Sequence, residues 1–276
     1  MLNETVALAA RALRKWIRNP TTIGPGLATA VFYLALLGSS FNPNNLIPSG
    51  IGGGQILQVA FEGAPTYITY LTSGVICIVI LSSMAFGGIN LVLDRQLGFL
   101  NTILIAPIPR ASVYLSGVAQ NLVKVLILAA LTFAVALFIP KGLELPRTFS
   151  IVGIFGIFAA FALLGLGLSF GFTALALATR SIDSLVAMGN FLTLPVVFMS
   201  NTFFPTSSFP AWLRGIADVN PVTKANEAAR LLLLNGSLTS AQLSTFCSDV
   251  TYLLAFATVL GIIGYFAAMR ALGRST

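Results

Sequence analysis

The sequence predicts an all-α polytopic membrane protein with six transmembrane helices, and three observations predict it. Of 276 residues, 57% are hydrophobic and only 8% are charged, whereas soluble domains carry about a quarter charged residues. Mean hydropathy is +0.92. The fifteen Lys and Arg and eight Asp and Glu are too few to cover a soluble globule of this size, and they fall between long uncharged stretches. An ordinary soluble enzyme and intrinsic disorder are both excluded.

A helix crossing ~30 Å of hydrocarbon needs about 20 mostly apolar residues. Charge-free stretches place the spans at 22–41, 66–92, 115–139, 149–179, 185–204 and 250–269, within one membrane domain over 1–276. The first span ends at Asn42-Pro43-Asn44-Asn45, and a glycine-rich run from Gly50 to Gly54 follows. Placing both termini inside puts nine basic residues on the inner face (Arg11, Arg14, Lys15, Arg18, Arg95, Arg110, Arg180, Arg270 and Arg274). Five then lie outside: Lys141, Arg147, Arg214, Lys224 and Arg230. That bias predicts a multi-pass plasma-membrane protein with cytoplasmic termini.

Residues 1–19 read as an amphipathic helix lying in the cytoplasmic interface. Leu2, Val6, Ala9, Leu13, Trp16 and Ile17 recur at helical spacing, while Arg14, Lys15 and Arg18 lie mostly off that stripe, near anionic head groups. A simple positive-inside anchor is the plainer reading. A cleaved signal peptide is not expected, because the following apolar run is too long. Lys124 interrupts the third span. It would sit ~13 Å along a helix entering near Leu115, within reach of the inner interface by snorkelling. A subunit interface or a translocation path would also suit it.

Composition removes several chemistries. There is no His, and Cys77 and Cys247 are far apart, so no zinc site, haem ligand set or Cys-His dyad is expected, and no metal. No G-x-x-x-x-G-K-[ST] occurs, so any nucleotide energy must come through another polypeptide. Glu62, Glu144, Asp218 and Glu227 are scattered, which predicts a chain without a catalytic site. A channel or secondary transporter would normally carry several intramembrane acids, whereas the spans offer only Lys124.

Two loops carry information. Between spans two and three, 94–110 is too apolar for a free hydrophilic loop. Leu93, Leu97, Leu100 and Leu104 repeat as the stripe of a short surface helix, which Pro107 and Pro109 end and Arg110 re-anchors. Such a helix on the cytoplasmic face suits docking of another protein. Between spans five and six, Pro205, Pro210 and Pro221 would break any continuous span. Residues 205–236 therefore read as short helices re-entering the outer leaflet, since irregular backbone at membrane depth must be buried in protein or line a wet cavity. An external loop with a surface helix is the plainer alternative.

The pattern Asp94-Arg95-x-x-Gly98-x-Leu100-x-x-x-Leu104-x-x-x-Ile108-x-Arg110 resembles the hallmark of ABC-2 type exporter permeases. Here the acid precedes the arginine, and Phe99 and Asn101 stand where the family has Thr and Glu. A second hallmark of that family is similar to Phe204-Pro205, Pro210-x-Trp212 and Asn220-Pro221, with Arg230 in the following helix. The nearest branch is the daunorubicin resistance-like drug exporter permeases. Permeases for polysaccharides and lipid-linked glycans share the fold.

The resemblance implies a permease subunit that pairs with a second permease and docks a separate soluble P-loop ATPase. ATP and Mg would be bound by that partner, with no cofactor in this chain. The N-terminal helix and the 94–110 coupling loop would contact the ATPase, with Asp94 and Arg95 first and Arg110 second. Gly153, Gly156, Gly165, Gly167 and Gly171 would let moving spans pack closely, or reflect the ordinary frequency of glycine in membranes. Twenty-one Phe and few deep ionisable groups favour export of a hydrophobic or amphipathic, drug-like or lipid-like compound. A glycan exporter and a non-transporting membrane assembly subunit are the alternatives. A homodimer is the simpler pairing, membrane lipids are expected partners, and nucleic acid is not.

Overall fold

The computed structural model describes residues 2–18, 20–40, 61–98, 109–139, 143, 146, 151–179, 181–235 and 238–273. Every regular element among them is helical. In chain order, α1 is Leu2–Ile17, α2 Pro20–Phe32, α3 Tyr67–Gly87, α4 Ile89–Gln96 and α5 Arg110–Phe138. Then come α6 Ile151–Ala178, α7 Ile182–Phe198, α8 Ala211–Asp218, α9 Pro221–Leu234 and α10 Ser240–Gly273. A π turn over Tyr33–Leu37 and the short Gly38–Ser40 prolong α2, and a 3-10 turn, Thr206–Ser208, precedes α8.

Among the described residues, four helical stretches are long and apolar enough to cross a membrane: Tyr67–Gln96 (α3 with α4), α5, α6 and α10. Ile23–Leu37 and Ile182–Phe198 are apolar but shorter. The 29 residues of α5 reach about 43 Å at 1.5 Å per residue, and the 17 of α7 about 25 Å, against a hydrocarbon core of ~30 Å. The chain is therefore a multi-pass membrane protein.

Each expected span falls on a helix, with shifted ends. The second runs on through α4 to Gln96 instead of stopping at 92. The third starts at Arg110, earlier than 115, and the last starts at Ser240, earlier than 250. The fifth is a correction: α7 stops at Phe198, short of 204, where the Asn220 side chain takes over the Val196 and Met199 carbonyls. The leucine stripe is corrected as well. Leu93 lies in α4, which ends at Gln96, and Gly98 turns the chain with φ +74°. The helix that holds Leu93 thus ends before Leu97, and Leu100 and Leu104 lie outside the described residues.

The centre of the bundle is α3. Every residue from Tyr67 to Leu81 is buried, and α3 packs against α2, α5, α6, α7 and α9. Lipid supplies no hydrophobic drive between spans, so close approach and hydrogen bonds must hold them. A Cβ on Gly165 would lie 2.6 Å from Val125 of α5, and one on Gly167 2.7 Å from Phe256 of α10. Gly156 is similarly tight against Leu232, whereas Gly171 makes only an ordinary contact with Leu260. Gly156, Gly165 and Gly167 thus serve packing within this chain. Large apolar residues such as Phe155 and Phe191 are left exposed, as lipid-facing positions require.

Candidate functional site

One end of the bundle gathers much of its positive charge. There α1 lies on α5 and α2, burying Trp16 and exposing Arg14, Lys15 and Arg18. Arg11, Arg14, Lys15 and Arg18 line one open depression. The sequence stripe is realised only in part: Trp16 is buried and Ala9 and Leu13 are half-buried, whereas Val6 and Ile17 are exposed like the cations.

Asp94, Arg95 and Arg110 come to the same end, while Leu100 and Leu104 lie outside the described residues. The Arg95 Nη1 donates to the Leu177 carbonyl at 2.7 Å. This satisfies one of the unpaired carbonyls in the last turn of α6 and places a cation at the negative end of that helix. Asp94 is half-buried and lines a small cavity of ≈ 80 Å³ with Arg11 and Lys15 of α1, Asn90 and Gln120. Arg110 is exposed as the first residue of α5, and Gly273 at the end of α10 lies against its guanidinium. So Asp94, Arg95 and Arg110 join α1 with the ends of α4, α5, α6 and α10.

The 199–235 segment forms a second site. Pro205 and Pro210 sit at the starts of the 3-10 turn and of α8, where a missing N–H costs nothing. Asn220 acts twice. Its Oδ1 accepts from the Val222 N–H at 3.0 Å, capping α9 with Pro221 as first helical residue. Its Nδ2 donates to the Val196 and Met199 carbonyls at 2.8 and 3.2 Å, closing the end of α7. One Asn-Pro step thus ends one helix and starts another. Trp212 and Phe204 are exposed, and α8 presents Trp212 and Ile216 outward, with Val219 exposed just after it.

Arg230 is 3% exposed, within α9. Its Nε donates to the Tyr70 carbonyl at 3.3 Å, and its Nη2 to the carbonyls of Asn201 at 2.8 Å and Thr202 at 3.5 Å. The guanidinium carbon stands 3.5 Å from the centre of the Tyr70 ring. The Tyr70 hydroxyl in turn donates to the Asn201 carbonyl at 3.0 Å, and Asn226 Nδ2 donates to Asn201 Oδ1 at 3.1 Å. Cys77 donates its thiol to Asn226 Oδ1 at 3.2 Å. A cation buried this deeply is held by backbone dipoles, because among the described residues no carboxylate lies within ion-pair distance of it. Gly74 permits the arrangement, since a Cβ there would lie 2.5 Å from the Thr202 carbonyl. Nearby, Lys224 pairs with Glu227 at 2.8 Å and with Asp249 at 3.4 Å, tying α9 to α10.

Sequence reasoning missed Tyr70, Asn201 and Asn226 here, and Arg214. Arg214 donates to the carbonyls of Thr206, Ser207 and Phe209 at 3.2, 3.0 and 3.4 Å, stapling the turn before α8. The available signal was polar side chains at the edges of otherwise apolar runs. Lys124 is buried at 3% exposure, with its Nζ 5.9 Å from the centre of the Trp16 ring. It points to the last turn of α1.

The sequence profile described as ABC-2 type transporter matches residues 3–234. The chain is similar to the transport permease ycf38 of Pyropia yezoensis, 28% identical over 235 residues, covering 84% of this chain and 74% of the relative. The ycf38 permease of Cyanophora paradoxa is 26% identical over 270 residues, 96% of this chain and 87% of that one. The daunorubicin resistance ABC transporter permease protein DrrB1 of Streptomyces coeruleorubidus is 22% identical over 172 residues, 62% and 59% of the two chains. With the match spanning α1 through α9, the chain belongs to the ABC-2 type transporter family.

Proposed function

We propose that this chain is the membrane-spanning subunit of an ATP-driven exporter in the plasma membrane, with six spans and both termini cytoplasmic. A separate P-loop ATPase supplies the energy, and two permease copies form the path for a hydrophobic or amphipathic compound. The observation that carries this reading is the gathering of α1, Asp94, Arg95 and Arg110 at one end of an almost uncharged bundle. Arg95 attaches the end of α4 to the end of α6 there. A force on that end would be transmitted along α6, which runs beside α10 and touches the Arg230 segment through α9. In a two-state transporter the drive is the difference in docking free energy between the states, so the docked end must be rigid in both. The residues 205–236 would then form the re-entrant outer-leaflet part, a reading supported by the packing of α9 among α3, α6 and α10.

The test separates docking from folding. Asp94→Asn changes charge with little change of shape, and the assembled complex in vesicles should keep its composition but lose most cargo-stimulated ATP hydrolysis. Wild-type stimulation in Asp94→Asn, and also in Asp94→Ala, would remove Asp94 from the coupling path.

A further inference from the structure

A second buried cation faces a cavity that the coupling scheme does not use. The cavity measures ≈ 490 Å³ and lies where α1, α2, α3, α4 and α5 meet. Lys124 stands fourteen residues from either end of α5 and lines this space. Among the described residues its ammonium has no hydrogen-bond acceptor and no carboxylate within ion-pair distance, only the Trp16 ring at 5.9 Å. The side chains of Ser82, Ser83 and Asn90 line the same space, and among the described residues none of them forms a hydrogen bond. Phe86 and Leu128 make an apolar wall beside them, and Pro25 and Phe86 are exposed where the cavity meets the surface between α2 and α3.

Each feature selects for one kind of ligand. A desolvated ammonium requires an anion. Two hydroxyls and an amide beside it can donate hydrogen bonds to the anion's remaining oxygens. An apolar wall that opens sideways suits a hydrocarbon chain, and the volume lies in the range of small-molecule sites. We infer that this cavity binds an anionic amphiphile, a phosphate or carboxylate head on an apolar chain, with Lys124 as counter-charge and Ser82, Ser83 and Asn90 as donors. Two sources carry that chemistry, an anionic phospholipid of the surrounding membrane and an acidic cargo. Occupancy depends on the membrane-embedded chain and not on what drives transport.

Trp16 in the cavity wall is the reporter. The chain has two tryptophans, so Trp212→Phe leaves Trp16 alone. This full-length variant is placed in phosphatidylcholine nanodiscs containing brominated phosphatidylglycerol or, separately, the same fraction of brominated phosphatidylcholine. Brominated phosphatidylglycerol should quench Trp16 at an about fivefold lower mole fraction, the expected advantage of one basic contact. Lys124→Gln should abolish that preference and Lys124→Arg should restore it, which separates this site from general attraction to the basic face of α1. Dodecyl phosphate then separates the sources: displacement of the quencher assigns the site to free acidic amphiphiles as well, and retention assigns it to resident lipid. Equal quenching by the two brominated lipids, with no Lys124-dependent response to dodecyl phosphate, would overturn the inference. So would a preference that survives in folded Lys124→Gln. If Lys124→Gln does not fold, Lys124→Met supplies the same comparison, with the same loss of preference expected and the same persistence overturning the inference.

Discussion

Lys124 and Arg230 are equally buried, at 3% exposure each, yet they are held in opposite ways. Arg230 donates its Nε and Nη2 to three backbone carbonyls and stacks on Tyr70, so most of its burial is compensated inside the chain, while its Nη1 is buried with no hydrogen-bond partner among the described residues. Lys124 has a ring beside it and a cavity before it. A cation matched by protein dipoles is a fastener, whereas one left facing a cavity is a receptor for something else. The contrast teaches that burial alone does not assign a role to an intramembrane charge. What matters is where its remaining donors point.

Substitutions can break or sharpen this contrast, each read by reversible unfolding of the chain in mild detergent. Arg230→Ala should cost the most, about 3–5 kcal/mol, because it removes charged donors from three buried carbonyls and opens a cavity beside Tyr70. A near-neutral result would deny Arg230 its fastening role. Gly74→Ala should cost about 1–3 kcal/mol by pushing a methyl into the Thr202 carbonyl that Arg230 also contacts. Asn220→Ala should cost about 1–2 kcal/mol, since one side chain caps α9 and closes α7. Arg95→Ala should cost about 1 kcal/mol for the lost contact at the end of α6. Lys124→Met should be neutral or slightly stabilising, because it removes an uncompensated charge. A loss as large as that of Arg230→Ala would mean that Lys124 is a fastener too.

Much of this was legible in the sequence, and the reasons are specific. Long uncharged runs located α2, α3, α5, α6, α7 and α10 because lipid demands continuous apolar helix. Prolines at 205, 210 and 221 located the irregular segment because they forbid a helix interior. The Asn220-Pro221 step and Arg230 stood out as polar residues beside apolar stretches. Their partners did not. Tyr70 and Asn201 are far apart in the chain, and only the packing of α3 against the turn after α7 brings them together. The end of α7 at Phe198 was illegible for the same reason, since its closing donor comes from Asn220. The Leu93 stripe misled because four leucines at helical spacing do not show that Gly98 takes a left-handed turn between them. For Lys124, spacing gave its depth along α5, but only the docking of α1 decided that it faces Trp16.

Purification of the tagged chain from its native membrane in mild detergent, with mass spectrometry of the intact complex, tests the central claim most directly. A stoichiometric soluble P-loop ATPase is expected in the permease peak, with two permease copies per complex, and it should be lost when Asp94, Arg110 and the basic face of α1 are neutralised together. A permease oligomer that stays intact and carries no ATPase would contradict the docking end and, with it, the ATP-driven reading.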